Sequence, residues 1–199
     1  MASSLSDNLA GAYRLAFGDR GGLDRIDHDL GAPWRSLSVG FAVIPVYVLM
    51  AALRLAPSFA GSDAFLAYLV AHGLGGVISW IGFLLAVAWV APKLGCARYF
   101  PEFVTAFNYA LVWQTALQAA AELINALSIT GGSTGLFILV AAQVAVLVYT
   151  WQVARLGLRL RGALAHLIVL LAVAVGVAVQ VLVALPFQLG GAFPGAPTG

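Results

Sequence analysis

The basic residues of this chain lie on alternate sides of five long apolar stretches. Because Lys and Arg concentrate in cytoplasmic loops beside a membrane, this distribution predicts a cytoplasmic N-terminus and, after five crossings, a C-terminus on the outer side. Arg54 is the one basic residue of ten that departs from the pattern. The other nine are Arg14, Arg20, Arg25 and Arg35 before the first stretch, Lys93 and Arg98 after the second, and Arg155, Arg159 and Arg161 after the fourth.

The composition supports a membrane protein. Only 9% of the residues are charged and 62% are apolar, whereas about 25% of the residues of a soluble domain are charged. The net charge of +2 gives no reason to expect nucleic acid as a partner. The single cysteine, Cys96, excludes an internal disulfide framework. We predict no metal or cofactor, since His28, His72 and His166 fall at three different depths.

Every apolar stretch has the length of a helix, so the predicted fold is all-α, a bundle of five transmembrane helices. This transmembrane domain covers residues 37–189, and a disordered Gly/Pro tail is predicted for residues 190–199. Pro45 is expected to kink the first span. The predicted spans are residues 37–53, 65–90, 103–129, 135–154 and 163–189.

The cytoplasmic segment before the bundle, residues 1–36, shows two short amphipathic patterns. Both are typical of helices that lie in the plane of the membrane interface, and a docking surface for a partner is the alternative. Within this segment we predict a cytoplasmic interface formed by Arg25, Asp29, Trp34 and Arg35. The apolar positions are Leu5, Leu9, Tyr13 and Phe17 in the first pattern, and Leu23, Ile26, Leu30 and Trp34 in the second.

The third span carries a polar stripe at helical spacing, formed by Asn108, Thr115, Gln118, Glu122 and Asn125. Such a face must point into the bundle or a wet cavity. At 1.5 Å per residue, Glu122 lies about 10 Å from the outer end of its span, and polar residues of three other spans lie about 10 to 13 Å deep. Ordinary interhelical hydrogen bonds explain such groups first, and an intramembrane polar site that is protonatable or binds a ligand is the alternative. Its candidate residues are Glu122, His72, Gln118, Gln143, Gln180 and Asn125.

The second span presents mostly small residues on one face. Small side chains let two helix backbones approach closely, so this face is predicted to pack against another helix. Its members are Gly75, Gly76, Ser79, Gly82 and Ala86.

The stretch from Asp29 to Trp34, Asp-Leu-Gly-Ala-Pro-Trp, precedes the first span. It resembles the Asp-Leu-Tyr-Gly-Pro-type motif of the Yip1 family, with Gly31, Ala32 and Pro33 where that motif has Tyr-Gly-Pro. The resemblance implies five spans, a cytoplasmic N-terminus and a non-enzymatic protein that organises or recruits partners. Eukaryotic members of the family act in vesicle traffic with small GTPases.

These features predict a small polytopic protein that acts as a scaffold or accessory subunit. Its expected partners are the lipid bilayer, other membrane proteins or a second copy of the chain. The alternative is a proton-coupled carrier of a small solute that uses the intramembrane polar site. No nucleophile accompanies Glu122 and His72, so an enzyme is the weakest alternative. The expected location is a bacterial cytoplasmic (inner) membrane.

Overall fold

The computed structural model describes residues 4–59, 64–127 and 133–189, and within these ranges it is helical with no strand. Short 3-10 helices cover Arg20–Arg25 and Ala97–Tyr99. The predicted tail, residues 190–199, lies outside the described residues. The α-helices are α1 (Leu5–Ala16), α2 (Ala32–Ala42), α3 (Ile44–Phe59), α4 (Ala64–Val90), α5 (Phe100–Ala126), α6 (Ser133–Gly157) and α7 (Gly162–Leu189).

Four helical stretches of the described chain are long and apolar enough to cross a membrane. The predicted all-α membrane bundle is therefore confirmed at this level. The third predicted span corresponds to α5, which has 27 residues but is not among the four. The four stretches are Ala32–Leu53, Phe65–Val90, Ser133–Gly157 and Gly162–Pro186.

The position of α5 explains its lower apolarity. It packs against α1, α2, α3 and α6, so most of its surface meets other helices. Residues 103–110 are all buried. A helix that is surrounded by protein can carry polar side chains that lipid would not accept. At 1.5 Å per residue α5 is about 40 Å long, enough to cross the hydrocarbon core of a bilayer.

The first apolar stretch begins at Ala32, earlier than the predicted Leu37, and Pro33 stands in the first turn of α2. The helix is interrupted at Val43, between α2 and α3. Pro45 accounts for the interruption, because it has no amide hydrogen to donate to the preceding turn. Helical pairing resumes where the Tyr47 amide donates to the Val43 carbonyl at 3.1 Å.

Helix α1 is part of the bundle. Ser4 and Asp7 form a capping box that starts the helix. The face that contains Ala12 and Leu15 is buried against α5 and α6. The predicted apolar face, which includes Tyr13 and Phe17, remains exposed. The helix therefore has two apolar faces, one toward the bundle and one available to lipid.

The second predicted amphipathic helix is corrected by the structure. Residues 20–25 form a 3-10 helix, and no helix covers residues 26–31. Leu23 and Ile26 are buried in the apolar core, whereas Leu30 and Trp34 are 98% and 76% exposed. Three glycines, among them Gly21 and Gly22, disfavour a continuous α-helix here.

The five long helices α3 to α7 form a closed ring. Helix α5 packs on α6, α6 on α7, α7 on α4, α4 on α3, and α3 on α5. We call the end of the bundle that carries the loops 91–99 and 158–161 the basic end. Here Phe83 contacts both Phe103 and Phe107, with ring centroids 6.2 and 4.9 Å away, and the main apolar core surrounds them. Away from this end the ring encloses a cavity.

Candidate functional site

A cavity of about 400 Å³ lies at the centre of the ring. Each long helix contributes to its lining: Tyr47 from α3, Ser79 from α4, Thr115 from α5, Gln143 from α6 and Gly176 from α7. The volume lies within the range of ligand pockets, about 300 to 1,000 Å³. Most of its other lining residues are Val, Leu, Ile and Phe. The cavity therefore suits a mainly apolar molecule.

Aromatic rings and one buried amide close the cavity toward the basic end. Trp80, Phe83 and Phe107 line this part. The Trp80 indole Nε1 donates to Asn108 Oδ1 at 3.0 Å, and Asn108 Nδ2 donates to Ser36 Oγ at 2.9 Å. These bonds join α2, α4 and α5. Asn108, from the predicted polar stripe, is fully buried and holds the floor of the cavity in place.

The wall formed by α5 and α6 carries most of the polar groups of the cavity. Gln114 Nε2 donates to Thr150 Oγ1 at 3.2 Å, and one turn further along Gln118 Nε2 donates to Gln143 Oε1 at 3.1 Å. Thr115 lies between the two glutamines in sequence and also lines the cavity. A ligand with one hydrogen-bonding group would find partners on this wall and apolar contacts elsewhere.

The opposite wall has a polar cluster around Tyr47. The Gln180 amide donates to the Tyr47 hydroxyl at 2.9 Å. The His72 ring stacks on Tyr47, with centroids 4.8 Å apart, and on Tyr68 at 5.9 Å. Tyr47 itself lines the central cavity, and its contacts with Gln180 and His72 hold its side chain in place there.

A second cavity of about 430 Å³ lies between α5 and α6, further from the basic end. Gln118, Glu122, Asn125 and Gln143 line it. Glu122 is buried and Asn125 is exposed. Because Gln118 and Gln143 line both cavities, their hydrogen bond lies between the two spaces.

The structure distributes the six predicted site residues over two groups. Four of them, Gln118, Glu122, Asn125 and Gln143, surround the second cavity. The other two, His72 and Gln180, both contact Tyr47, which lines the central cavity. The predicted polar level is thus two separate clusters, and His72 and Gln180 are not among the residues that line the two cavities.

The small residues of α4 meet two different helices. A Cβ atom on Gly75 would lie 2.7 Å from Val183 of α7, and one on Gly82 would lie 3.5 Å from Val175 of the same helix. A Cβ on Gly76 would instead lie 2.9 Å from the Tyr47 ring of α3. Ser79 lies on the α7 side, and Ala86 is half-buried. The face therefore divides between α7 and α3.

The predicted cytoplasmic interface is organised by Arg35. Its Nη2 donates to Asp27 Oδ2 at 3.0 Å and to Asp29 Oδ2 at 2.6 Å. The hydrogen bond from Arg35, with a further bond from the Gly31 amide, holds the pKa of the Asp29 carboxyl below its usual range. Arg25 is exposed and its charge helps to lower the pKa of the Asp19 carboxyl. Trp34 points outward.

Tyr47, Trp80 and Thr150 are site residues that the sequence did not single out. Tyr47 and Thr150 each place a hydroxyl group inside an apolar span, which could have indicated a site residue. A hydroxyl that forms a hydrogen bond within its own helix produces the same sequence pattern, so the sequence does not distinguish the two cases. Trp80 lies inside its span, and its indole nitrogen donates a hydrogen bond to Asn108. Among the described residues no group of three His, Cys, Asp or Glu side chains could hold a metal ion.

The fold and the site together define an all-α membrane-type bundle with a cavity that its helices line. No family model matches the sequence, and no curated protein or solved structure matches it either.

Proposed function

We propose that this protein binds a small amphiphilic molecule in the central cavity of a five-span membrane bundle. The distribution of polar groups in that cavity supports this proposal. Most hydrogen-bonding side chains of the lining lie on the α5 and α6 wall, and Tyr47 and Ser79 add one hydroxyl each from α3 and α4. Trp80, Phe83 and aliphatic side chains form most of the remaining lining. A chain-like molecule with one polar end matches this lining, since each buried polar group needs a partner.

Binding is tested with four probes that share an eight-carbon chain: octanol, octanamide, octylamine and octanoate. The readout is native mass spectrometry of the protein released from nanodiscs. We expect saturable binding of at least one probe. Thr115→Phe should abolish it, because the ring would occupy the space in front of the polar wall, and Thr115→Val, which keeps the side-chain volume, should retain it. Binding that Thr115→Phe leaves unchanged, or no binding by any probe, contradicts the proposal.

Movement of the bound molecule across the membrane is the carrier form of this function. Glu122 is buried and lines the second cavity together with Gln118 and Gln143. Protonation of its carboxyl group would change the charge next to the hydrogen bond that lies between the two cavities. We expect probe uptake into liposomes to depend on an imposed pH gradient and Glu122→Gln to remove that dependence. Uptake with the same pH dependence in Glu122→Gln would contradict proton coupling and leave the binding result intact.

A scaffold or accessory role is the second candidate. The exposed apolar side chains near the basic end, Phe17, Leu30, Trp34 and Trp89, favour it. They offer contacts to lipid or to another membrane protein. Crosslinking in nanodiscs of native lipid should then recover a defined partner or a homo-oligomer. A monomer without any crosslinked partner would count against this role.

The proposed topology and location of the protein rest on separate features of the chain. The length of α5 and its packing against four other helices support a fifth crossing, and the basic loops support a cytoplasmic basic end.

The motif from Asp29 to Trp34 supports a likeness to the Yip1 family, and a bacterial inner membrane remains the proposed location. In the structure Asp29 Oδ1 accepts from the Gly31 amide at 2.8 Å, so the motif builds the turn before α2.

A further inference from the structure

Arg159 adopts a backbone conformation that arginine rarely takes. Its φ is +54°, in the left-handed region. It follows the end of α6, where the Leu160 amide donates to the Arg155 carbonyl at 3.0 Å and the Arg159 amide to the Leu156 carbonyl at 3.3 Å. This is the Schellman arrangement, whose left-handed position is usually glycine. Among the described residues Arg159 is the one non-glycine residue with a positive φ. A side chain kept at such a position indicates a use for that side chain.

Two guanidinium groups lie over the same aromatic ring. The Cζ atoms of Arg159 and Arg98 lie 4.4 and 4.5 Å from the centroid of the Tyr99 ring. Tyr99 therefore contacts both positive charges at the basic end. The carboxylate of Glu102 lies 3.5 Å from Arg159 Nη2, a long contact that leaves most donors of this guanidinium available.

The surroundings favour an anion. The loops 91–99 and 158–161 contain Lys93, Arg98, Arg159 and Arg161 and no acidic residue. Trp89 is exposed beside them, with the Lys93 ammonium 2.7 Å from the centre of its ring. A tryptophan and a lysine at the end of an apolar helix are typical of the headgroup level of a bilayer.

We infer that Arg98, Tyr99 and Arg159 form a binding site for the phosphate of an anionic lipid headgroup, in the leaflet that meets the basic end. A guanidinium binds phosphate oxygens through two parallel hydrogen bonds. Trp89 and Lys93 indicate that this end of the bundle lies at the headgroup level, so a lipid is the expected source of the phosphate. This site is separate from the central cavity and does not depend on the ligand proposed there.

The test uses the full chain in detergent, titrated with dioleoyl phosphatidylglycerol while its melting temperature is measured. Dioleoyl phosphatidylcholine is the zwitterionic control, and inorganic phosphate tests for a free anion. We expect Arg159→Gly to melt no lower than the wild type without lipid, because glycine adopts the left-handed conformation without strain. The same variant should raise the apparent Kd for phosphatidylglycerol about tenfold.

Arg161→Gly is the matched control, since it removes the same charge two residues away at the position preceding α7. It should raise the apparent Kd for phosphatidylglycerol much less than Arg159→Gly does, because Arg161 is not one of the residues proposed to bind the phosphate. An equal Kd for Arg159→Gly and the wild type overturns the site, as does a wild type that phosphatidylglycerol stabilises no more than phosphatidylcholine. A full response to inorganic phosphate alone overturns the lipid as its ligand.

Discussion

A single methyl group added at position 40 would collide with the Trp80 ring. The Gly40 backbone lies against this indole, which also packs edge-on against Phe41 at 5.1 Å and is held by Asn108. We expect Gly40→Ala to destabilise the protein by about 1 to 3 kcal/mol, because the ring cannot move without losing its hydrogen bond. The midpoint of thermal unfolding in detergent measures this effect.

Gly82→Ala is the matched control for this prediction. The added Cβ would meet Val175 at 3.5 Å, which is ordinary contact, and alanine is the better helix former. An equal loss of stability in both variants would show that the contact with Trp80 is unimportant.

The pKa of Asp29 gives a second prediction for single residues. Since this pKa is lowered in the folded protein, mainly by the hydrogen bond from Arg35, the stabilisation is complete above the ordinary carboxyl pKa of about 4. It is lost as the pH falls through the lower folded value. We expect hydrogen exchange at Gly31 and Ala32, corrected for intrinsic rates, to accelerate below that pH.

Asp29→Asn should show fast exchange at these amides at every pH, since the asparagine lacks the charge that Arg35 binds. Asp24→Asn, at an exposed carboxylate of the same segment, is the control and should behave as the wild type. Slow exchange in Asp29→Asn at neutral pH would show that the ion pair between Arg35 and Asp29 does not protect these amides.

At the scale of elements, two adjacent glycines test the docking of α1. A Cβ on Gly22 would lie 2.5 Å from the Gly11 carbonyl oxygen of α1, which is fixed backbone. A Cβ on Gly21 would meet the flexible end of Arg14 at 3.1 Å. We expect Gly22→Ala to separate α1 from the 3-10 helix and to accelerate tryptic cleavage at Arg20 and Arg25. Gly21→Ala should be cleaved at the rate of the wild type, and equal rates for both variants would contradict close packing here.

The sequence predicted the long apolar helices more reliably than the short segment before them. A span of lipid-facing residues leaves a strong pattern, and the ends of α4 and α7 lie within one residue of the predicted spans. The segment around Leu23 and Leu30 repeats apolar residues at helical spacing, but its glycines and the contacts of Ile26 with the core determine its shape. Those contacts come from distant parts of the chain, which periodicity does not reveal.

The candidate site shows the same limit. The polar stripe of α5 predicted that Gln118 and Glu122 face the interior, and both line cavities. Which residues lie opposite depends on the order of helices in the ring. Depth along a span gives one coordinate only, so it could not place His72 and Gln180 on Tyr47.

At the scale of the whole molecule, the proposed five crossings place the chain ends on opposite sides of the membrane. Reporter fusions test this: green fluorescent protein should fluoresce at the N-terminus, and alkaline phosphatase should be active at the C-terminus. Truncation in the loop 158–161, which removes α7, should reverse the second result. Both ends on one side would show that α5 does not cross, since the other four apolar stretches give an even number.

The central position of α5 also affects how the protein is made. A translocon releases a segment into lipid according to its own hydrophobicity, and α5 is the long helix least suited to be released alone. Its Gln114 and Gln118 find their hydrogen-bond partners on α6, which is synthesised afterwards. With the proposed fifth crossing, we therefore expect α5 and α6 to enter the bilayer together as a hairpin.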